Sequence, residues 1–266
     1  MLDGLRVDPG SSARIAERDP ADRLGRDKDE GEMRLAHLSE RIDELQYLLY
    51  AEDRRSVLLV LQGLDASGKD GVLRRVFHGV HPTAVTVTSF KVPAGPEVRH
   101  DYLWRIHAAL PARGALGVFN RSHYEDVVAV RMLELAPEDV WRRRYEHIRE
   151  FERMLVDEGT AVIKVFLNVS RDEQRKRFQE RIDDPRKRWK FRRDDLKVRE
   201  RFDDWIAAWE DALTETSTEW APWYVVPADR NWVKALAVAE LVVATLERLD
   251  PRLPEPGGGL DGLRIE

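Results

Sequence analysis

The sequence predicts an α/β fold: a five-stranded parallel sheet covered by helices on both faces. Three observations predict it. Short apolar or β-rich runs alternate with longer stretches of helical periodicity. The run Val57-Leu58-Leu59-Val60-Leu61 passes directly into a glycine-rich turn and then into a helical pattern. Apolar residues make up 42% of 266 residues, enough for the core of one large domain. Parallel strands need a crossover between them, and alternating helices supply it.

Each element follows from its local pattern. Residues 33–50 carry Leu35, Leu38, Ile42, Leu45, Leu48 and Leu49 at helical spacing. Strand one spans 57–62, and a helix runs over 69–79, where Gly79 stops it. Strand two is 83–90. The stretch 96–110 reads as one helix, with Pro96 at its start and Pro111 beyond its end. Strand three is 116–119, a long helix covers 137–158 before Gly159, and strand four is 161–169. Residues 171–215 are charged and helical, with a break near Asp184-Pro185. Strand five is 223–226, and an amphipathic helix closes the pattern over 233–249. Residues 1–32 lack periodicity and read as an irregular arm, either mobile or draped over the surface. The folded domain is 33–250, and 251–266, with three prolines and Gly257-Gly258-Gly259, reads as an irregular tail.

Composition excludes several classes. A net charge of −5 argues against a nucleic-acid partner. There is no cysteine, hence no disulfide, thiol catalysis or Cys-zinc site. The start Met1-Leu-Asp-Gly-Leu-Arg lacks the apolar core of a signal peptide, and no apolar run approaches the roughly 20 residues of a membrane span. No membrane partner and a cytoplasmic location are therefore expected. The seven histidines show no metal-ligand spacing; His123 is a candidate for orienting a ligand.

Three constellations carry chemistry. The first is the turn Gly63-Leu-Asp-Ala-Ser-Gly-Lys-Asp-Gly71. A strand, then Gly-x4-Gly-Lys, then a helix points backbone N–H groups and one ammonium at a single place, where phosphate oxygens fit. Gly63, Gly68 and Gly71 are expected to allow positive φ and close approach. After the lysine such loops usually carry Ser or Thr for Mg²⁺; here Asp70 stands there, and Asp65 lies inside the loop. The second is Phe119-Asn120-Arg121-Ser122-His123-Tyr124-Glu125-Asp126 at the end of strand three. Asp65, Glu125 and Asp126 supply oxygens for a hard cation, and Arg121 faces phosphate from the other side. The spacing of Ser122 and Glu125 also fits a capping box at a helix start. The third is 171–201, with 14 Lys or Arg against 8 Asp or Glu, a local +6 in a chain of −5. A basic helical hairpin beside a phosphate loop suits a lid that excludes water and neutralises a phosphoryl group. The loop Lys91-Val92-Pro93, at the carboxyl edge after strand two, is the candidate acceptor wall.

These pieces resemble the family-2 polyphosphate kinases. The carrying segments are Gly63 to Gly71, Ser89-Phe90-Lys91-Val92-Pro93, Phe119 to Asp126, and Arg188-Trp-Lys-Phe-Arg-Arg-Asp-Asp195, within a likeness covering about 33–248. The resemblance implies a thymidylate-kinase-like P-loop kinase fold, a three-layer sandwich with a helical lid at about 178–200. It implies Mg²⁺-dependent phosphoryl transfer between inorganic polyphosphate and AMP, ADP or ATP, with Mn²⁺ as the alternative ion, in a homodimer or homotetramer. Asp65, Lys69, Arg121 and Asp126 would be catalytic, and Asp65 and Asp126 would hold the metal. Gly63, Ala66, Ser67, Gly68, Lys69, Asp70, Gly71, Arg121, Arg131, Arg181, Lys190 and Arg193 would bind phosphate; Lys91, Pro93, Asn120 and Glu125 would bind nucleotide. Asn120, where other members carry Asp, resembles the group that accepts both mono- and diphosphates. The alternatives are an ATP-dependent small-molecule kinase and a non-catalytic polyanion-binding protein.

Overall fold

A computed structural model describes residues 2–82, 85–255, 257 and 264. Its sheet has six strands in the order β1-β6-β5-β2-β4-β3: β1 (Arg6–Val7), β2 (Ser56–Gln62), β3 (Val85–Ser89), β4 (Leu116–Asn120), β5 (Thr160–Asn168) and β6 (Trp223–Pro227). The strands β2 to β6 are parallel, as expected. The count of five needs correction, because β1 adds a short antiparallel edge, pairing Arg6 with Tyr224 and Val7 with Trp223. β2 is buried along its whole length, which explains why its centre, Val57 to Leu61, reads as a continuous apolar run instead of alternating. Thr83 and Ala84, expected in strand two, lie outside the described residues.

The helices are α1 (Lys28–Glu52), α2 (Lys69–Val76), α3 (Trp104–Ala108), α4 (Glu125–Met132), α5 (Glu138–Asp157), α6 (Arg171–Asp183), α7 (Asp194–Glu200), α8 (Phe202–Thr216) and α9 (Asn231–Leu249). α1, α2 and α9 pack together, as do α4, α5 and α8, and α5 and α9 both lie against β5. α1 starts where Asp27, in extended conformation, accepts from the Glu30 N–H at 2.9 Å, a cap worth about 1 kcal/mol. It ends at Asp53 in the left-handed region. No helix among the described residues is long and apolar enough to cross a membrane.

Two expectations change. The single helix over 96–110 is a 3₁₀ turn over Gly95–Arg99 and then α3. The break is built by Asp101, whose carboxylate accepts from the Leu103 N–H at 2.9 Å and turns the chain before the helix restarts. The N-terminal arm is tied down. Leu5, Val7, Ala13 and Ile15 are buried, and the Glu210 carboxylate accepts from Ser12 Oγ and from the N–H groups of Arg14 and Ile15, each at 2.6 Å. The arm thereby covers the β6 edge, which would otherwise present unpaired backbone groups.

Candidate active site

The phosphate loop leaves β2 through Gly63, at φ 145°. A Cβ there would lie 2.8 Å from Ser67 Oγ and 2.9 Å from the Leu167 carbonyl, so glycine is required. Gly68, at φ 98°, is the N-cap of α2, and a Cβ on it would strike Lys234 Nζ. Gly71 differs from expectation: it lies inside α2 with open space where a Cβ would sit. The Ser67 N–H is spent on the Leu64 carbonyl (3.0 Å) and the Gly71 N–H on the Gly68 carbonyl (3.0 Å). The N–H groups of Ala66, Gly68, Lys69 and Asp70 have no acceptor among the described residues. These four free donors lie at a helix N-terminus, an arrangement that favours an anion. Lys69 is buried, and its ammonium donates to the Gly63 carbonyl at 2.7 Å. Burial, then Arg121, lower it to about 8, against the pull of Asp65 and Glu125.

The segment after β4 faces two ways. Arg121, at φ 65°, pairs with Asp65 and lies 3.7 Å from Glu125. A non-glycine residue in this backbone region commonly marks a functional site. His123 and Tyr124 turn inward instead. The Tyr124 hydroxyl donates to Glu152 (2.8 Å), and Lys164 joins Glu152 (2.6 Å), Tyr124 (3.0 Å) and the Thr216 carbonyl (2.7 Å). His123 is fully buried against Glu152 at 3.4 Å, so it is placed to anchor the segment and not to meet a ligand. The capping box is not formed: α4 is capped at Tyr124 without a side-chain bond, and Ser122 Oγ accepts from the Tyr124 N–H at 3.3 Å.

Asp126 opens in another direction. It pairs with Arg105 at 3.1 Å, and Arg105 also donates to the Lys91 carbonyl at 2.7 Å. A cavity of about 410 Å³ adjoins it, lined by Pro93, His100, Tyr102, Arg105, Asp126 and Arg144 among others. Lys91 is exposed at its neighbouring loop. Asn120 donates to Asp70 Oδ1 at 3.0 Å. An aspartate at 120 would face Asp70 with like charge, so the amide is what permits this contact.

The basic segment expected to act as a lid comprises α6, a 3₁₀ turn over Arg188–Lys190, and α7. α6 ends at Asp183, at the expected break. Lys190 reaches across to Asp70 at 3.2 Å, so Asp70 ties this basic segment to the glycine-rich loop. Arg181 acts electrostatically on Asp65, and Arg193 is exposed on the lid. Arg131, expected at the phosphates, pairs with Asp211 at 2.5 Å and lies over Trp141. It sits in the last turn of α4, nearly the whole helix away from Glu125.

This arrangement can be compared with known proteins. The family model for polyphosphate kinase 2 (PPK2) matches residues 25–254. The chain belongs to the polyphosphate kinase 2 family. An AMP/ADP-polyphosphate phosphotransferase of Meiothermus ruber is 51% identical over 232 residues, 87% of each chain. An ADP-polyphosphate phosphotransferase of Rhodopseudomonas palustris is 46% identical, covering 81% of this chain and 79% of its own. The crystal structure of polyphosphate kinase 2 from Arthrobacter aurescens superposes with a TM-score of 0.93 at 40% identity, covering 97% of this chain and 93% of that one.

In this polyphosphate kinase 2 chain the phosphate loop rests on a clamp that the sequence reading missed. Gln174 donates to the Asp65 carbonyl (3.0 Å), Arg177 to the carbonyls of Ala66 (3.0 Å) and Ser67 (2.9 Å), and Lys234 to that of Ser67 (2.8 Å). A trans peptide points its N–H opposite to its C=O. Holding the carbonyls of 65, 66 and 67 on one side therefore turns the N–H groups of 66 and 68 toward the other. Two signals were available. Gln174 and Arg177 share a face of α6 at i, i+3, and Lys234 interrupts the apolar run of α9.

The acids fit a divalent cation of the hard, oxygen-seeking kind. Burial raises the Glu125 carboxyl, and the charges of Asp65 and Asp126 push it further up, although Arg121 and Lys69 oppose. Burial would also raise Asp65, but Arg121, Lys69 and Arg181 hold it below the usual carboxylate range. Among the described residues no three His, Cys, Asp or Glu converge as a finished cage. Asp65 and Asp126, expected to share a metal, are engaged by different arginines, with Glu125 between their fields. A hard divalent cation commonly takes one or two carboxylates and completes its shell with water and substrate phosphate, so a finished protein cage is not required for one to bind.

Proposed function

We propose that this chain transfers phosphoryl groups reversibly between inorganic polyphosphate and adenine nucleotides, AMP to ADP and ADP to ATP. Its family membership supports the reaction class. The single observation that carries the site reading is the convergence of four free loop N–H groups, Lys69 and the Arg121–Asp65 pair at the carboxyl ends of β2 and β4. On this reading the terminal phosphoryl of polyphosphate sits on the loop N–H groups and Lys69. Arg121 and the lid cations Arg181, Lys190 and Arg193 stabilise charge on its equatorial oxygens, which is most of what phosphoryl transfer demands. Lys190 would first let go of Asp70. The nucleotide enters the cavity beside Asp126, walled by Pro93 and Tyr102, and its phosphate attacks in line. An anionic phosphate acceptor needs no general base.

Asp65 and Asp126, with Glu125 near, would hold Mg²⁺ or Mn²⁺, which when bound neutralises the phosphate oxygens. The five parallel strands and the loop–helix unit read as a thymidylate-kinase-like P-loop kinase in three layers. A cytoplasmic homodimer or homotetramer belongs to the same proposal. Lys69→Ala and Asp126→Asn are each expected to lower kcat/KM for polyphosphate about 10²–10³-fold with the circular dichroism spectrum unchanged. Near wild-type rates in either variant would contradict the assignment.

A further inference from the structure

The N-terminal arm, α1, α2 and the start of α9 enclose a second cavity of about 470 Å³, lined by Arg23, Lys28, Glu32, Arg75, Arg230 and Trp232. Four of these residues are cations and one is an acid. Glu32 is already paired with Arg75, and Arg230 donates to the Ala21 carbonyl. Arg23 and Lys28 are exposed and have no partner among the described residues. Of the acids nearby, Asp22 accepts from the Leu24 N–H at 2.8 Å, Asp27 caps α1 and Glu30 pairs with Arg26, while Asp29 is exposed. Within the lining itself the cations outnumber the acid four to one.

The cavity wall is fixed by a glycine. Gly31 lies inside α1, where a Cβ would run into the Trp232 ring. Glycine within a helix costs about 1 kcal/mol relative to alanine, and here it lets α1 lie directly over the start of α9. The position in the fold matters equally. α2 begins at the phosphate loop and α9 begins just beyond the carboxyl end of β6, so both starts share one edge of the sheet. Arg75 stands six residues along α2 from Lys69, about 9 Å at 1.5 Å per residue. Lys234 holds the Ser67 carbonyl, on the side of the loop opposite its free N–H groups, and feels the charge of Arg75.

We propose that this cavity is a distal binding site for inorganic polyphosphate, holding phosphate units beyond the one transferred at Lys69. It rests on the polyphosphate reading above. The chemistry favours a run of phosphates over a second nucleotide. Guanidinium forks match phosphate oxygens two at a time, whereas Trp232 is only 7% exposed and offers little ring surface to a base.

The test is the double variant Arg23→Ala/Lys28→Ala, which breaks no ion pair of the described structure, with Arg23→Glu/Lys28→Glu as the stronger form. Binding is read by isothermal titration of long-chain polyphosphate, tripolyphosphate and inorganic phosphate without nucleotide, and turnover is read separately. The dissociation constant for long chains is expected to rise about tenfold, and more in the charge-reversed form, with a salt dependence shallower by about two contacts. Tripolyphosphate, too short to span loop and cavity, is expected to change less than twofold. Unchanged long-chain affinity would overturn the proposal. So would an equal loss for tripolyphosphate, or displacement of long chains by free phosphate unit for unit. Because binding is measured without turnover, a wild-type chain that binds through these residues yet transfers nothing would overturn the proposed activity and not the site.

Discussion

Lys234 shows how a single side chain is committed twice. It is buried in α9 and holds the Ser67 and Ala228 carbonyls at 2.8 and 3.2 Å. Burial, then Arg177, lower it from 10.5 to about 7. An unfolded lysine keeps its proton up to about 10.5, so between those values the unfolded chain binds the extra proton and stability rises with pH. Below 7 both states hold it and the cost of burying the charge is fully felt. The melting temperature is therefore expected to climb between pH 7 and 9, and Lys234→Met is expected to flatten that climb, as read by thermal denaturation across pH. An unchanged slope would contradict the burial argument. The same residue marks a limit of sequence reading. A lysine in an apolar helix is visible, but its partner, a carbonyl 167 residues away, is not.

At the scale of elements, the segment after β4 is positioned by what lies beneath it. Arg121 and Glu125 stay partly exposed and Asp126 meets the neighbouring cavity, while Tyr124 and His123 are anchored on Glu152 and Lys164, both fully buried. Breaking a buried pair from one side leaves a bare charge. Lys164→Met is expected to cost about 3–5 kcal/mol by urea denaturation, and the double change Lys164→Met/Glu152→Met is expected to recover much of it. A double variant less stable than the single one would refute the pairing argument. The elements themselves were largely legible. Apolar β2, the loop and the α6 break at Asp184-Pro185 follow from local pattern. The restart of the helix at α3 was not, because it depends on one Asp101 turn inside an otherwise helical stretch. Arg131 was misplaced because nothing in sequence reveals Asp211 on α8 as its partner.

For the whole molecule, the parallel sheet and the three chemical segments were readable from the chain, while the role of the arm was not. Leu5, Val7, Ala13 and Ile15 are too few and too widely spaced to signal a strand, yet they seat the arm on β6 and bring Arg23 and Lys28 to the cavity rim. The fold thus gathers the loop after β2, the segment after β4, the basic segment of α6 and α7, and the arm around one edge of the sheet. The most direct test of that account is to supply polyphosphate and Mg²⁺ with either AMP or ADP, without ATP, and to resolve the nucleotides formed. The account predicts ADP from AMP and ATP from ADP, with matching loss of polyphosphate, and neither product from Lys69→Ala. Failure of the intact protein to phosphorylate either nucleotide, while it phosphorylates a hydroxyl acceptor from ATP, would contradict it.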